Sequence, residues 1–344
     1  MSDMSDKEIL LDQSMTHKMI VDTDTASDDG VALMMALVNP DIEVVAITIV
    51  AGNVPTRQGS INARFTVELC GRHTPVYEGA TRPLRRAPYR AEFFHGQDGM
   101  GNMNYPAPQT SPAAGHAVDA LIEHILANPG VILVTLGPMT NVALAVSRAP
   151  EIIHNVSRCV VMGGAACTVG NITPAAEYNI WCDPEAARIC FRSGLPIEMV
   201  GWELCRGAAN LIEGEMRYYK DVINTPLSHF VIDCNASALQ VNQEWLGDPG
   251  IGLPDPVAMA IAIDPDICTN HSRHYVEIEC DGEFTRGMTV VDQIGVTPHD
   301  TANVAMWQPA VKRGEPHITV CWEIDVARWK ALLEQSVNRQ VAIY

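Results

Sequence analysis

The chain has 344 residues, 47% of them hydrophobic and 19% charged, with a formal net charge of −18 at pH 7. That acidity argues against a nucleic-acid or anionic-membrane surface, both of which demand a basic face. Its ten cysteines are scattered with no Cys-x-x-Cys pair, a pattern that fits buried thiols in a reducing cytoplasm better than zinc knuckles or a secreted disulfide scaffold.

Residues 1–17 are polar, carrying Asp3, Asp6, Lys7 and Asp12, and read as a loose, flexible extension without a signal-peptide core. A single domain is expected over 18–344, with no run of about 18 apolar residues to span a membrane. Met19-Ile20-Val21 predicts a first strand, Asp22 to Gly30 an acidic turn, and Val31 to Leu37 a helix. Ile42 to Val50 then reads as a strand, Ser60 to Cys70 as a helix and Pro75 to Tyr77 as a short strand. The stretch from Arg82 to Ser111, rich in Pro, Gly, Arg and aromatics, predicts a long loop over the sheet, of a length that is often functional. Helix over Val118 to Leu126, strand over Val131 to Leu136, helix over Met139 to Val146 and strand over Cys159 to Met162 follow. Pro184 to Phe191 continues as helix and Pro196 to Val200 as strand. This alternation predicts βαβ units and an α/β fold: an open, mostly parallel sheet flanked by helices. From Tyr275 the pattern changes. Tyr275 to Cys280, Met288 to Asp292 and His317 to Ile324 read as paired antiparallel strands. Val326 to Ser336 reads as an amphipathic helix with Trp329, Leu332 and Leu333 on one face.

In an open parallel sheet, ligands bind beyond the carboxyl ends of the strands. Asp22, Asp24, Asp28 and Asp29 follow the first strand there, Asn53 the second, Thr140 and Asn141 the Val131 strand, and Asn171, Glu177 and Asn179 the Cys159 strand. Four carboxylates within eight residues repel one another unless a cation or positive substrate sits among them. A lining of carboxylates and amides suits a neutral polyhydroxylated ligand with calcium or magnesium, and does not suit a phosphate. Simpler roles compete residue by residue. One or two of the acids fit a helix N-cap, Asn53 and Asn171 sit beside glycines as turn residues do, and His95 reads as an exposed loop histidine. Asp255 before an apolar run fits a helix start. Trp202 and Trp245 lie near pocket-forming segments and are placed to stack on a base.

The run Asp22-Thr23-Asp24-Thr25-Ala26-Ser27-Asp28-Asp29 resembles the Asp-x-Asp-x-x-x-Asp-Asp signature of the inosine–uridine-preferring nucleoside hydrolase superfamily. The likeness continues through Ala51-Gly52-Asn53, His95-Gly96-x-Asp98-Gly99, Gly137-Pro138-Met139-Thr140-Asn141 and Met162-Gly163-Gly164. It extends to Gly170-Asn171, Ala176-Glu177-Tyr178-Asn179, Asp183-Pro184-Glu185-Ala186-Ala187 and Asp255-Pro256. The resemblance covers roughly residues 19 to 340 in unbroken order. It implies a Rossmann-like core, hydrolysis of the N-glycosidic bond of ribonucleosides to free base and ribose, and a place in purine or pyrimidine salvage. It also implies a calcium ion held by the Asp24, Asp29 and Asp255 side chains and the Thr140 carbonyl. Asp24 would be general base on the attacking water. Asp28, Asn53, Asn179 and Asp255 would hold the 2′- and 3′-hydroxyls, Glu177 and Asn171 the 5′-hydroxyl, and Met162 would pack near the sugar. A homo-oligomer, dimer or tetramer, is also expected from the resemblance.

Two departures stand out. Pro254 occupies the place where inosine–uridine-type members carry a histidine that protonates the leaving base. His95, or stacking by Trp202 or Trp245, is a substitute for that role. Thr25-Ala26 replaces the Pro-Gly of many members and changes the turn while sparing the four acids. Two other readings remain at this point. A haloacid-dehalogenase-like phosphatase would use Asp22 and Asp24 with magnesium, but expects Thr or Val where Ala26 stands. A non-catalytic nucleoside- or ribose-binding protein on the same fold is the other.

Overall fold

The computed structural model describes residues 16–247, 250–299 and 317–341, and singly residues 302, 305 and 307. The predicted N-terminal extension lies outside the described residues except for Thr16 and His17, and His17 opens the first strand. The strands are β1 (His17–Thr23), β2 (Ile42–Ile49), β3 (Val76–Glu78), β4 (Val131–Thr135), β5 (Val156–Met162), β6 (Ile197–Val200), β7 (Cys268–His274), β8 (Val276–Ile278), β9 (Thr289–Val291) and β10 (Ile318–Ile324). Helices on the N-terminal half are α1 (Ser27–Val38), α2 (Thr56–Leu69), α3 (Glu92–His95), α4 (Ala117–Ala127), α5 (Thr140–Arg148), α6 (Tyr178–Cys182) and α7 (Pro184–Arg192). They are followed by α8 (Glu213–Arg217), α9 (Pro226–Asp233), α10 (Ala236–Val241), α11 (Pro254–Ile263) and α12 (Val326–Val337).

Eight strands form one sheet in the order β3-β2-β1-β4-β5-β6-β10-β7, parallel except for β7 at the edge. The first six follow the doubly wound order, whose switch point lies between β1 and β4. Successive β1 side chains alternate between two cores. Met19 and Val21 enter the one built with α1, α11 and α12, whereas Ile20 enters the one built with α4, α5 and α7. Burial on both faces explains why the central strands read as continuous apolar runs.

The C-terminal part differs from expectation in two respects. β8 and β9 pair as a separate antiparallel hairpin, but β10 does not join them. It extends the main sheet, parallel to β6 and antiparallel to β7. The second correction concerns the thiols. Cys268 on β7 and Cys321 on β10 form a disulfide across this strand pair, and Cys167 is exposed; the other seven cysteines are buried and free. No helix among the described residues is long and apolar enough to cross a membrane.

Candidate active site

The acidic run leaves β1 at the switch point, where β2 and β4 flank it on either side. Thr25 takes φ +38°, a left-handed backbone that is unfavourable for a β-branched residue. It is held there from both ends: its N–H donates to Thr23 Oγ1 at 2.9 Å, and its carbonyl accepts from Asn62 Nδ2 at 2.9 Å.

Asp24 is fully buried. Its Oδ2 accepts from the Asn53 N–H at 2.5 Å, while Oδ1 is sealed from solvent without a hydrogen-bond partner. The glycines of the surrounding motifs make room for it. A Cβ on Gly52 would collide with Asp24 Oδ2, one on Gly137 would lie 2.9 Å from Asp24 N, and one on Gly59 2.6 Å from Asp24 O. Asp29 accepts from Thr23 Oγ1 at 2.5 Å and from the Ala26 N–H at 2.9 Å, so it serves as the N-terminal acceptor of α1. Capping therefore explains one acid of the run and not the rest. Asp255, in the first turn of α11, brings a carboxylate from far along the chain, and one oxygen each of Asp28, Asp29 and Asp255 lie within 4.8 Å of one another. Pro254 fits the first position of α11, where its missing N–H costs nothing, and leaves no donor there.

The electrostatic consequence is clear. Burial, and then the charge of Asp29, pushes the Asp24 carboxyl far above its usual range. Asp255 rises likewise through burial and then Asp28. Burial raises Asp28 and Asp29 to about 6. Four such groups together require either protons or a bound cation.

Behind them lies a supporting network. Asp22, raised by burial to about 7, accepts from Thr48 Oγ1 at 2.6 Å and Asn141 Nδ2 at 2.9 Å. Thr140 donates its hydroxyl to Asp183 Oδ2 at 2.6 Å, and the same oxygen takes the Leu84 N–H of the long loop at 2.9 Å.

The other predicted residues fall around this centre. Glu177 caps α6, accepting from the N–H groups of Asn179, Ile180 and Gly164 at 2.8, 3.2 and 2.9 Å, and burial raises it to about 7. Asn179 commits its amide N–H groups to the Leu136 carbonyl at 2.8 Å and to Met162, which is buried at the end of β5. Asn171 is exposed and accepts from the Tyr178 N–H at 2.9 Å. His95, read from sequence as an exposed loop residue, is buried on α3 inside the long loop. Its Nδ1 lies 2.8 Å from Ser27 Oγ and 3.7 Å from Asp28 Oδ1, and burial lowers its pKa to about 4, so the ring is neutral. Trp202 is half-buried, its Nε1 donating to the Val169 carbonyl at 2.7 Å and Arg206 lying 4.5 Å over its ring. Trp245 is 65% exposed and stacks on Phe93 at 5.6 Å.

Sequence reasoning gave Ser27 no role beyond a share in capping α1, and gave none to Asp183 or Glu203. Glu203, beyond β6, is pushed up to about 7 by burial and meets the Ala166 N–H at 3.3 Å. A carboxylate directly after a strand end was the signal available for it.

Fold and site together define a Rossmann-like α/β enzyme with a buried carboxylate cluster at the sheet's switch point. Residues 19–331 match the family model for inosine-uridine preferring nucleoside hydrolases. The chain is 33% identical over 335 residues to probable uridine nucleosidase 1 of Oryza sativa, covering 94% of this chain and 97% of that protein. It is 37% identical over 288 residues to the pyrimidine-specific ribonucleoside hydrolase of Salmonella typhi, covering 82% and 91%. Among solved structures, a plant nucleoside hydrolase superposes with a TM-score of 0.87 at 31% identity, covering 94% of this chain and all of that one. The purine-preferring ribonucleoside hydrolase of Gardnerella vaginalis gives 0.82 at 30%, covering 93% and 98%. The chain belongs to the inosine–uridine preferring nucleoside hydrolase family, and is a hydrolase of ribonucleosides that cleaves their N-glycosidic bond. The phosphatase and non-catalytic readings fall with that membership.

Proposed function

We propose that this hydrolase works with a calcium ion held by Asp24, Asp29, Asp255 and the Thr140 carbonyl, with Asp24 as general base. The observation that carries the reading is the buried cluster itself. Carboxylate oxygens of Asp28, Asp29 and Asp255 lie within 4.8 Å of one another, and Asp24 Oδ1 and Asp28 Oδ1 are sealed without partners. Unpaired buried carboxylates are costly, and an all-oxygen donor set is what a hard cation takes. The residues present therefore fit the ion. When bound, calcium supplies the charge that lets these carboxylates ionise together and makes nearby water more acidic.

The remaining roles follow from the atoms left free. Asn179, with its N–H groups committed, offers its Oδ1 to a ribose hydroxyl, beside Asp28, Asn53 and Asp255 on the 2′- and 3′-hydroxyls. Glu177 and Asn171 take the 5′-hydroxyl, and Met162 packs against the sugar. As the glycosidic bond lengthens, positive charge grows on the ribosyl ring, and the surrounding carboxylates stabilise it. Asp24 accepts the proton of the attacking water. With Pro254 unable to donate, His95 faces the departing base. Trp245, exposed and stacked on Phe93, is the ring left free to stack on the base, whereas Trp202 is held by Val169 and Arg206. Purine or pyrimidine salvage is the corresponding setting. Eight free thiols support a cytoplasmic location, and exposed Ile212, Tyr218 and Val222 supply apolar surface for a dimer or tetramer.

A reducing-sugar assay over purine and pyrimidine nucleosides, comparing wild type with Asp24→Asn, tests the assignment. The expected loss is about 10²–10⁴-fold. Equal ribose release by the two proteins would refute the role of Asp24.

A further inference from the structure

Ser27 is the first residue of α1 and is fully buried within the acidic run. Its hydroxyl meets one described partner, His95 Nδ1, at 2.8 Å. The two residues are 68 positions apart, so the contact is made by the fold and not by local chain geometry.

The protons available set the direction of this hydrogen bond. On a neutral imidazole one nitrogen carries the proton and the other accepts. If Nδ1–H donated to Ser27, the serine proton would be left inside the protein without an acceptor, at a cost. The Thr23 carbonyl, four residues back at the end of β1, takes the Val50 N–H at 3.0 Å and makes no hydrogen bond with Ser27 Oγ. Asp28 Oδ1, at 3.7 Å from Nδ1, is beyond hydrogen-bonding distance and does not compete. The serine proton finds its acceptor in the other arrangement, with Ser27 O–H donating to Nδ1 and the ring proton on Nε2. That second nitrogen has no hydrogen-bond partner among the described residues. Unlike Asp24 Oδ1 and Asp28 Oδ1, it is not among the polar atoms sealed from solvent.

We propose that Ser27 is a positioning residue that fixes the tautomer of His95, so that an Nε2–H donor is presented to the leaving base. The inference rests on the reading that His95 faces that base. As the C1′–N bond breaks, its electron pair goes to the base, and the negative charge developing there is met by a hydrogen bond from a neutral ring. No proton needs to be transferred for that stabilisation. Without Ser27, the proton is free to reside on Nδ1, and Nε2 would then offer a lone pair to a group that is becoming an anion.

The test compares wild type, Ser27→Ala, His95→Ala and the double variant on uridine, inosine and p-nitrophenyl β-ribofuranoside. The last carries a leaving group that departs as a stable anion without a donor. Loss of an electrostatic donor costs about 10²–10³-fold. We therefore expect Ser27→Ala to lower the ratio of nucleoside to p-nitrophenyl riboside turnover at least about tenfold, His95→Ala to lower it further, and the double variant to match His95→Ala. Nitrogen NMR of ¹⁵N-labelled His95 should show the proton on Nε2 in wild type and a shift toward Nδ1 in Ser27→Ala. An equal loss on all three substrates, or an unchanged ratio in Ser27→Ala beside a reduced one in His95→Ala, overturns the role of Ser27 and leaves that of His95 standing. An unchanged ratio in His95→Ala overturns both.

Discussion

Gly52→Ala is the sharpest test of how the fold holds its proposed base. A Cβ at this position lies 2.7 Å from Asp24 Cγ, collides with Oδ2, and stands 2.8 Å from Pro138 Cδ. Restoring an ordinary contact of 3.4 Å to Cγ requires a shift of 3.4 − 2.7, or about 0.7 Å. Asp24 has little freedom to yield, because Asn53 N–H holds Oδ2 and Gly137 closes on its backbone nitrogen. A misplacement of about 1 Å at a reacting group costs about 10²-fold, and forced overpacking costs about 1–3 kcal/mol of stability. We expect ribose release to fall roughly 10²-fold and the melting temperature to drop, both measured in saturating calcium. Gly214→Ala is the control: a Cβ there meets nothing within 4 Å, and it should be neutral or slightly stabilising. Turnover of Gly52→Ala within a few-fold of wild type would show that Asp24 is not held as described.

Three further outcomes are expected. Asp22, raised to about 7, and Asp28 and Asp29, raised to about 6, start from an ordinary value of 3.8. An acid whose folded pKa is raised binds its proton more tightly when folded, so the calcium-free protein gains stability as pH falls from above 7 through 6. Thermal melts of calcium-free protein should therefore rise from pH 8 to pH 5.5, with calcium stabilising most at pH 8; a calcium-free melting temperature lower at pH 5.5 contradicts this. Asp183→Asn leaves one acceptor oxygen where Thr140, Leu84 and Ala186 now use two. Calcium affinity by calorimetry should weaken about 10–100-fold, and an unchanged affinity would remove Asp183 from the support of Thr140. Cys268→Ser opens a link across 53 residues, worth about 4 kcal/mol by loop-closure entropy. Chemical denaturation should register that loss with turnover intact, and an unchanged midpoint would discount the disulfide.

The parallel core was legible because its strands are buried on both faces and announce themselves as apolar runs. The edge was not. β7 is Cys-Thr-Asn-His-Ser-Arg-His with an almost wholly exposed pattern, so it carries no hydrophobic signal and exists as a strand because β10 pairs with it. β10 does carry the signal, but alternation fixes which face is buried and not which strand lies alongside. Without that partner the Cys268–Cys321 pair could not be foreseen. The acidic run was legible for the opposite reason: its chemistry is contiguous, and repulsion among close carboxylates is visible in the string itself.

The leaving-group side of the site shows where contiguity stops helping. Proline at 254 improves the start of α11 and removes the donor expected beside Asp255. The histidine proposed to take over, His95, belongs to a long loop and meets Ser27, at the head of a different helix. Asp28 connects the two ends of this arrangement, lying 3.7 Å from His95 Nδ1 while sharing the carboxylate cluster with Asp255. On the proposed reading a donor can move from the α11 side to the α3 side while Asp24, Asp29 and Asp255 stay on β1, α1 and α11, although the loop still supports Thr140 through Leu84 and Asp183. If the part of the loop around His95 sets the choice of base, exchanging residues 92–111 with a relative's, which leaves Leu84 on Asp183, should change base preference while leaving calcium affinity intact. A calcium affinity that changes with the loop would show that the two halves of the site are not separable.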